Sequence, residues 1–161
     1  MGGLRPTQSR YNADGLLIQS DTFPRGTSYL QIFRDGSLEY GDSYTLSRAG
    51  ENWLPSADLE SAIRTTFENA LHLLSELETV EPVFSALTLI GMKGRQMALP
   101  RPGEWGFSSP PIDRDVILSP DLPLQNLEEG SPYPSTLLPL VNSAWQAAGL
   151  AATPYPHNWE L

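Results

Sequence analysis

The chain has no cysteine among its 161 residues. That excludes a disulfide framework, a cysteine-based zinc site and a thiol nucleophile. Histidine is nearly absent: His72 and His157 are the only two, too few for a three-histidine metal centre. Lysine occurs once, at Lys93, so the ten basic residues are otherwise all arginine, against 19 acidic residues. The resulting net charge of −9 argues against wrapping a nucleic-acid backbone, whose phosphates Lys and Arg must neutralise. It argues equally against an anionic membrane surface. No apolar run approaches the ~20 residues that span a bilayer. The opening Met1-Gly2-Gly3-Leu4-Arg5-Pro6 lacks the apolar stretch of a secretory leader. A soluble, cytoplasmic protein with no membrane partner is expected.

What is present suffices for one core. A chain of this size buries about two-thirds of its unfolded surface, and 40% of its residues are hydrophobic. We expect one α+β domain over residues 1–161, with a polar lead-in at 1–10 and a Pro-rich tail at 150–161.

Asp14-Gly15 opens a short strand at Leu16-Leu17-Ile18-Gln19. Ser28 to Arg34, then Asp35-Gly36, then Ser37-Leu38-Glu39-Tyr40 reads as a hairpin with a type I′ turn. Tyr29, Gln31 and Phe33 would share one face, and Leu30 and Ile32 the other. A helix over about 56–79 carries the stripe Leu59, Ile63, Phe67, Ala70, Leu71, Leu74 and Leu77. Ser56 is its expected N-cap and Asp58 suits the positive end of its dipole. Glu60, Arg64 and Glu68 are expected as an ion-pair string on the opposite, exposed flank.

Two strands are expected around Gly91-Met92-Lys93-Gly94, and another at Ile112–Leu118. On that strand Ile112, Arg114, Val116 and Leu118 would share one face, and Asp113, Asp115 and Ile117 the other. A final helix over 136–148 has the stripe Leu137, Leu138, Val141, Trp145 and Ala148, with Gly149 just past its end. The order β-β-β-α-β-β-β-α implies an α+β layer fold, a mainly antiparallel sheet of five to six strands covered by two helices.

Few residues offer chemistry. Gly91-Met92-Lys93-Gly94 has the Gly-x-x-Gly spacing of a KH loop, but a KH loop joins helices and this one follows a strand. Its spacing also fails the P-loop pattern. A turn that uses glycine for positive φ is the plainer reading. Lys93, Arg95 and Arg101 still form a local basic spot that nucleic acid could use.

Asp113 and Asp115, two apart on a strand, would lie about 7 Å from each other and could hold a metal ion or divide acid and base roles. More often such carboxylates sit on a solvated face or pair with an arginine such as Arg114. His72 lies off the apolar stripe, and no serine sits in a Gly-x-Ser-x-Gly elbow. Trp53, Trp105, Phe107, Tyr133, Tyr155 and Trp159 lie in Pro/Gly-rich segments. There they either lock loops to the core or form an interface.

Three phrases, Arg10–Leu17, Tyr29–Glu39 and Pro111–Leu118, resemble the C-terminal region of bacterial AlbA-like, Schlafen-type proteins, described as DNA-binding, as ATP-binding or as candidate transcriptional regulators. The likeness spans about residues 10–150 and rests on phrase order. In that family the nucleic-acid-binding and nucleotide-linked functions belong to an N-terminal domain, and no residue here matches it. The resemblance implies a companion module in a regulatory or defence protein.

Together these readings favour a non-catalytic module making protein–protein contacts, with a partner or with itself. A nucleic-acid-associated module at Lys93/Arg95/Arg101 is the alternative, and a metal-dependent enzyme at Asp113/Asp115 the third. The expected binding residues are Lys93, Arg95, Arg101, Trp105, Asp113, Arg114 and Asp115. No catalytic residue, metal ligand or cofactor is expected.

Overall fold

The computed structural model describes residues 8–21, 27–47, 52–80, 82–99, 108–124, 133–155 and 159. The chain sorts into two compact units, Met1–Gly50 and Glu51–Leu161. The architecture is mixed α and β, with mostly antiparallel strands.

The first unit is a meander of β1 (Gln8–Tyr11), β2 (Gly15–Asp21), β3 (Thr27–Phe33) and β4 (Leu38–Asp42), followed by one helical turn, α1 (Tyr44–Ser47). All three pairings are antiparallel and sequential, in the order β1-β2-β3-β4. β1 occupies the end of the stretch expected as a lead-in. Asn12 makes that possible: its Oδ1 accepts the N–H groups of Asp14 (3.0 Å) and Gly15 (2.8 Å), an Asx turn that reverses the chain.

The β3–β4 hairpin has the expected strands but a different turn. Among the described loop residues only Gly36 has positive φ, at 87°, so Asp35 does not take a left-handed conformation. Phe33 N–H donates to Ser37 O (2.9 Å) and Gly36 N–H to Phe33 O (3.1 Å). This is the three-residue loop that ends in a left-handed glycine, not the two-residue type I′ turn. The register keeps Tyr29, Gln31 and Phe33 on one face and Leu30 and Ile32 on the other, as expected. Gln31 is buried and its Oε1 accepts from Asn12 Nδ2 at 2.8 Å.

The second unit contains β5 (Trp53–Leu54), α2 (Ser56–Glu76), β6 (Val83–Ser85), β7 (Thr88–Ile90), β8 (Gln96–Met97), β9 (Val116–Leu118), β10 (Leu122–Leu124), α3 (Tyr133–Thr136) and α4 (Leu138–Ala147). Its described strands form three separate pairs: β5 with β8 (parallel), β6 with β10 and β7 with β9 (both antiparallel). The single sheet of five to six strands is therefore replaced by a four-stranded sheet and small two-stranded ones. The reason is local. Strands of two or three residues, bounded by Pro120 and the two turn glycines and with Pro123 inside β10 lacking an N–H to donate, expose too short a ladder to extend a common sheet.

The strands flanking Gly91–Gly94 do not pair with each other. β7 joins β9, and β8 joins β5.

α2 begins at Ser56 and ends at Glu76, three residues before the expected end. Pro55, not Ser56, is the N-cap, and no side chain caps the helix. The Ser56 hydroxyl is buried and donates instead to Ala98 O at 2.6 Å. Leu59, Leu71 and Leu74 form the buried part of the stripe, while Ile63 and Phe67 are half-buried.

The expected final helix is split into α3 and α4, with Leu137 as the N-cap of α4 and Pro139 near its start. Leu137, Leu140, Val141, Ala144 and Trp145 are buried. With Leu89, Met92, Met97, Ile112, Ile117 and Leu124 they form the core of this unit. Each of the buried Leu, Ile, Val and Met side chains contributes about 1.5–3 kcal/mol on burial.

Candidate functional site

The expected site residues come from two segments that the fold joins. Gly91 and Gly94 adopt left-handed φ of 76° and 82°, which only glycine takes without strain. The turn they shape is tied to 112–115 by three backbone hydrogen bonds. Met92 N–H donates to Asp115 O (3.0 Å), Gly94 N–H to Ile112 O (2.9 Å) and Ile112 N–H to Arg95 O (2.9 Å). Lys93 and Arg95 thus stand beside Asp113, Arg114 and Asp115. Arg101 and Trp105 lie outside the described residues.

This neighbourhood carries both signs. Arg114 Nε donates to Asp113 Oδ1 at 3.0 Å, with both side chains mostly exposed. Arg95 Nε is turned to its own loop, donating to Gly91 O at 2.8 Å. Carboxylates interleaved with the cations cancel much of the field that a phosphate backbone would sense.

β9 begins only at Val116, so Asp113 and Asp115 lie on a bend before the strand rather than on it. Among the described residues, no three His, Asp or Glu side chains gather as metal ligands. His72 is exposed and its Nε2 lies 3.5 Å from Glu76 on the same helix. No described helix is long and apolar enough to cross a membrane.

A different surface stands out. Residues 83–90 run antiparallel to 116–124 through β6–β10 and β7–β9. Between the two pairs, Leu87 N–H donates to Ser119 Oγ (2.8 Å) and Ser119 N–H to Leu87 O (2.9 Å). The result is one two-stranded ribbon. Its inner face buries Leu89, Ile117 and Leu124, and α4 lies against β9.

The outer face bears Phe84 (67% exposed), Ile90 (66%), Val116 (44%) and Leu118 (70%). The exposed Ala86, Thr88 and Pro123 share this face by alternation and pairing, and the exposed Pro120 and Asp121 lie in the unpaired link between β9 and β10. Among its paired positions only Thr88 is polar. The bend at 113–115 resets the alternation, so Ile112 is buried while Val116 and Leu118 face solvent. The strand expectation had put all three on one face.

Sequence reasoning also missed Glu60, which was expected on the exposed flank of α2. It is 3% exposed. Its Oε1 accepts Trp145 Nε1–H (2.7 Å) and the Thr153 hydroxyl (2.5 Å), and its Oε2 accepts Trp159 Nε1–H (2.8 Å). Of the expected string, Arg64 and Glu68 pair at 3.9 Å on the exposed side.

A cleft of about 200 Å³ lined by Ala57, Glu60, Ser61, Arg64 and Trp159 opens beside this carboxylate. Both carboxylate oxygens are engaged by the chain's own donors, so Glu60 acts as a tie between α2, α4 and the C-terminal segment. Tyr155 belongs to the same cluster, with its ring 6.2 Å from that of Trp145.

Comparison with family models, with curated proteins and with solved structures finds no match to the chain.

Proposed function

We propose that the chain is a non-catalytic interaction module, in the cytoplasm, that docks a protein on the outer face of the 83–90/116–124 ribbon. The observation that supports it is the alignment of Phe84, Ile90, Val116 and Leu118 on one solvent-facing surface. Scattered apolar residues on a surface are ordinary, but a contiguous patch flanked by charge is characteristic of protein contacts. The resemblance to AlbA-like, Schlafen-type proteins supports a regulatory or defence setting, with this module accompanying a nucleic-acid- or ATP-binding partner. The Lys93/Arg95 turn gives the nucleic-acid alternative little support, because Asp113 and Asp115 share its neighbourhood.

Site-specific photocross-linking in cells tests the reading. A photoreactive phenylalanine analogue at Leu118 is expected to capture a second polypeptide. The same analogue at His72, exposed on α2, is the control. Equal yields at both positions, or no adduct at Leu118, would overturn it.

A further inference from the structure

After α4 the chain turns back across its own helices. Gly149, at φ 82°, follows the helix, and the exposed Ala151 and Ala152 lead away from it. What comes next is held by side chains. From α4, Gln146 Nε2 donates to Ala151 O (3.3 Å) and Asn142 Oδ1 accepts the Thr153 N–H (2.9 Å). From α2, Glu60 accepts the Thr153 hydroxyl and, at 2.8 Å, the Trp159 indole N–H. One turn earlier on α2, the Ser56 hydroxyl is already given to Ala98 O, so the Tyr155 hydroxyl 3.3 Å away is the donor to it. Among the described residues from 151 onward, no backbone-to-backbone hydrogen bond joins the segment to the rest of the unit. Pro154 and Pro156 have no N–H to offer one. Thr153 and Trp159 are nevertheless buried.

We propose that α2 and α4 form a peptide groove with a tryptophan pocket, filled here by the chain's own C-terminal segment as a detachable strap, and that the same segment of a second copy can take its place. An element held in a backbone ladder opens with its neighbours, whereas a terminal segment held by side chains opens alone, at lower free energy. Opening is also tolerable for Glu60. Its carboxylate is buried, and the cleft of about 200 Å³ that it lines with Ala57, Ser61, Arg64 and Trp159 admits water as Trp159 leaves. The Trp145 indole N–H, on α4, keeps its bond to Oε1 and holds the acceptor in place. The fit does not depend on the tether: a segment that fits in cis fits in trans, and exchange of an identical terminal element closes at two copies. The tether favours the cis form, because a short linker keeps the segment at a millimolar effective concentration. The groove is thus closed to other copies until the strap is out.

Hydrogen exchange of two indole N–H groups in the full chain, followed by NMR, tests detachment. Those of Trp145 and Trp159 are both buried and both bonded to Glu60. A merely structural role protects them equally, through unfolding of the whole unit. As a strap, Trp159 is expected to exchange at least about tenfold faster than Trp145, and with little dependence on urea, because the opening that frees it exposes little surface. Calorimetric titration with a synthetic peptide of residues 150–161 tests replacement. The peptide should bind full-chain Trp159→Ala, whose pocket is vacant, at least about tenfold more tightly than the wild-type chain, where the strap competes. Trp159→Phe, which keeps a ring but loses the N–H, should fall between them. A peptide with alanine in place of its tryptophan should bind none of the three.

Equal exchange of the two indoles with equal urea dependence overturns the strap. A folded Trp159→Ala that takes up no peptide overturns replacement by a second copy. Binding as tight to the wild-type chain as to the variants puts the peptide elsewhere and overturns the groove as its site. If Trp159→Ala does not fold, Trp159→Phe against the wild-type chain decides the same question, with equal affinities or no binding as the overturning result.

Discussion

Trp159 donates its indole N–H to Glu60 Oε2 at 2.8 Å, joining residues 99 positions apart in a buried contact. The same carboxylate takes a second indole N–H from Trp145 and the hydroxyl of Thr153. Three donors converge on one buried carboxylate. Such charge-assisted bonds are worth about 1.5–3 kcal/mol each, and donors stranded in the interior cost about as much.

Glu60→Ala should therefore destabilise this unit by about 3 kcal/mol or more. Glu60→Gln keeps one carbonyl acceptor but sets an amide N–H₂ against an indole N–H. It should cost about 1–3 kcal/mol. Urea unfolding followed by tryptophan fluorescence reads both, since Trp145 and Trp159 are within the affected cluster. Trp159→Phe should cost a comparable amount to Glu60→Gln. In the double variant the losses should fall short of additive, because both delete the same bond.

Two exposed hydrogen bonds in the first unit set its pH dependence at the two ends of the scale. Tyr29 Oη donates to Glu39 Oε1 at 2.5 Å. That bond, then partial burial, then the Glu39 charge raise the phenol above its ordinary value. The bond's contribution is complete below the unfolded-state pKa near 10 and is lost as pH rises through the higher folded value. Absorbance titration at alkaline pH, with Tyr29→Phe as the blank, should show it, and Glu39→Gln should bring the phenol back down.

Asp35 behaves oppositely. The Ser37 hydroxyl (2.6 Å) and then the Ser37 backbone N–H (2.9 Å) hold its carboxyl below the ordinary value. Its contribution is complete above the unfolded-state pKa of about 3.9 and disappears as pH falls through the folded one. Ser37→Ala should raise the Asp35 pKa in a carbon-detected NMR titration without abolishing the shift, because the backbone donor remains.

The contrast between Gln31 and Glu60 shows what the sequence made legible. The alternation from Ser28 to Tyr40 placed Gln31 correctly opposite Leu30 and Ile32, because a strand's period of two leaves no choice. Glu60 was assigned by its charge. On a helical wheel it lies at about 100° from Leu59, between Leu74 at about 60° and Leu71 at about 120°, well inside the apolar stripe. The angle held the signal, and the donors that make the position tolerable came from Trp145, Thr153 and Trp159, far along the chain. Likewise the run 83–90 alternates regularly, yet both of its faces carry apolar residues. Only the long-range pairing with 116–124 decides which face is core. Of the expected site, the turn 91–95 was readable from its glycines, but not the segment it is tied to.

Gly15 and Gly41 should respond to alanine in different ways. At Gly15 φ is 152° and an added Cβ would lie 2.0 Å from the Ile32 carbonyl oxygen, a backbone atom of the neighbouring strand. The backbone must move, so Gly15→Ala should cost about 2–3 kcal/mol or more and loosen the β2–β3 ladder. At Gly41 the added Cβ would meet the Tyr29 ring 2.1 Å away, which can swing aside. Gly41→Ala should be milder, and should return the Tyr29 phenol toward its ordinary pKa as the bond to Glu39 is broken. Amide hydrogen exchange over residues 15–21 and the tyrosine titration separate the two outcomes.

Two helices end in the same motif with different residues at its left-handed position. After α4, Gly149 takes φ 82° while its N–H donates to Gln146 O (3.0 Å) and that of Leu150 to Trp145 O (2.9 Å). After α2, Glu78 takes φ 51° while its N–H donates to Ser75 O (3.0 Å) and that of Thr79 to Leu74 O (3.1 Å). Both are Schellman turns, which favour glycine because a Cβ is strained there. The glycine made the end of α4 readable, and its lack at position 78 led the expected α2 three residues too far. Glu78→Gly should therefore relieve strain and raise stability by on the order of 1 kcal/mol, less the entropy glycine adds to the unfolded chain. Glu78→Ala keeps the Cβ and serves as the control for the lost charge. A rise in urea midpoint for glycine but not for alanine identifies backbone strain as the cause. Equal midpoints for the two variants would assign any change to the carboxylate instead.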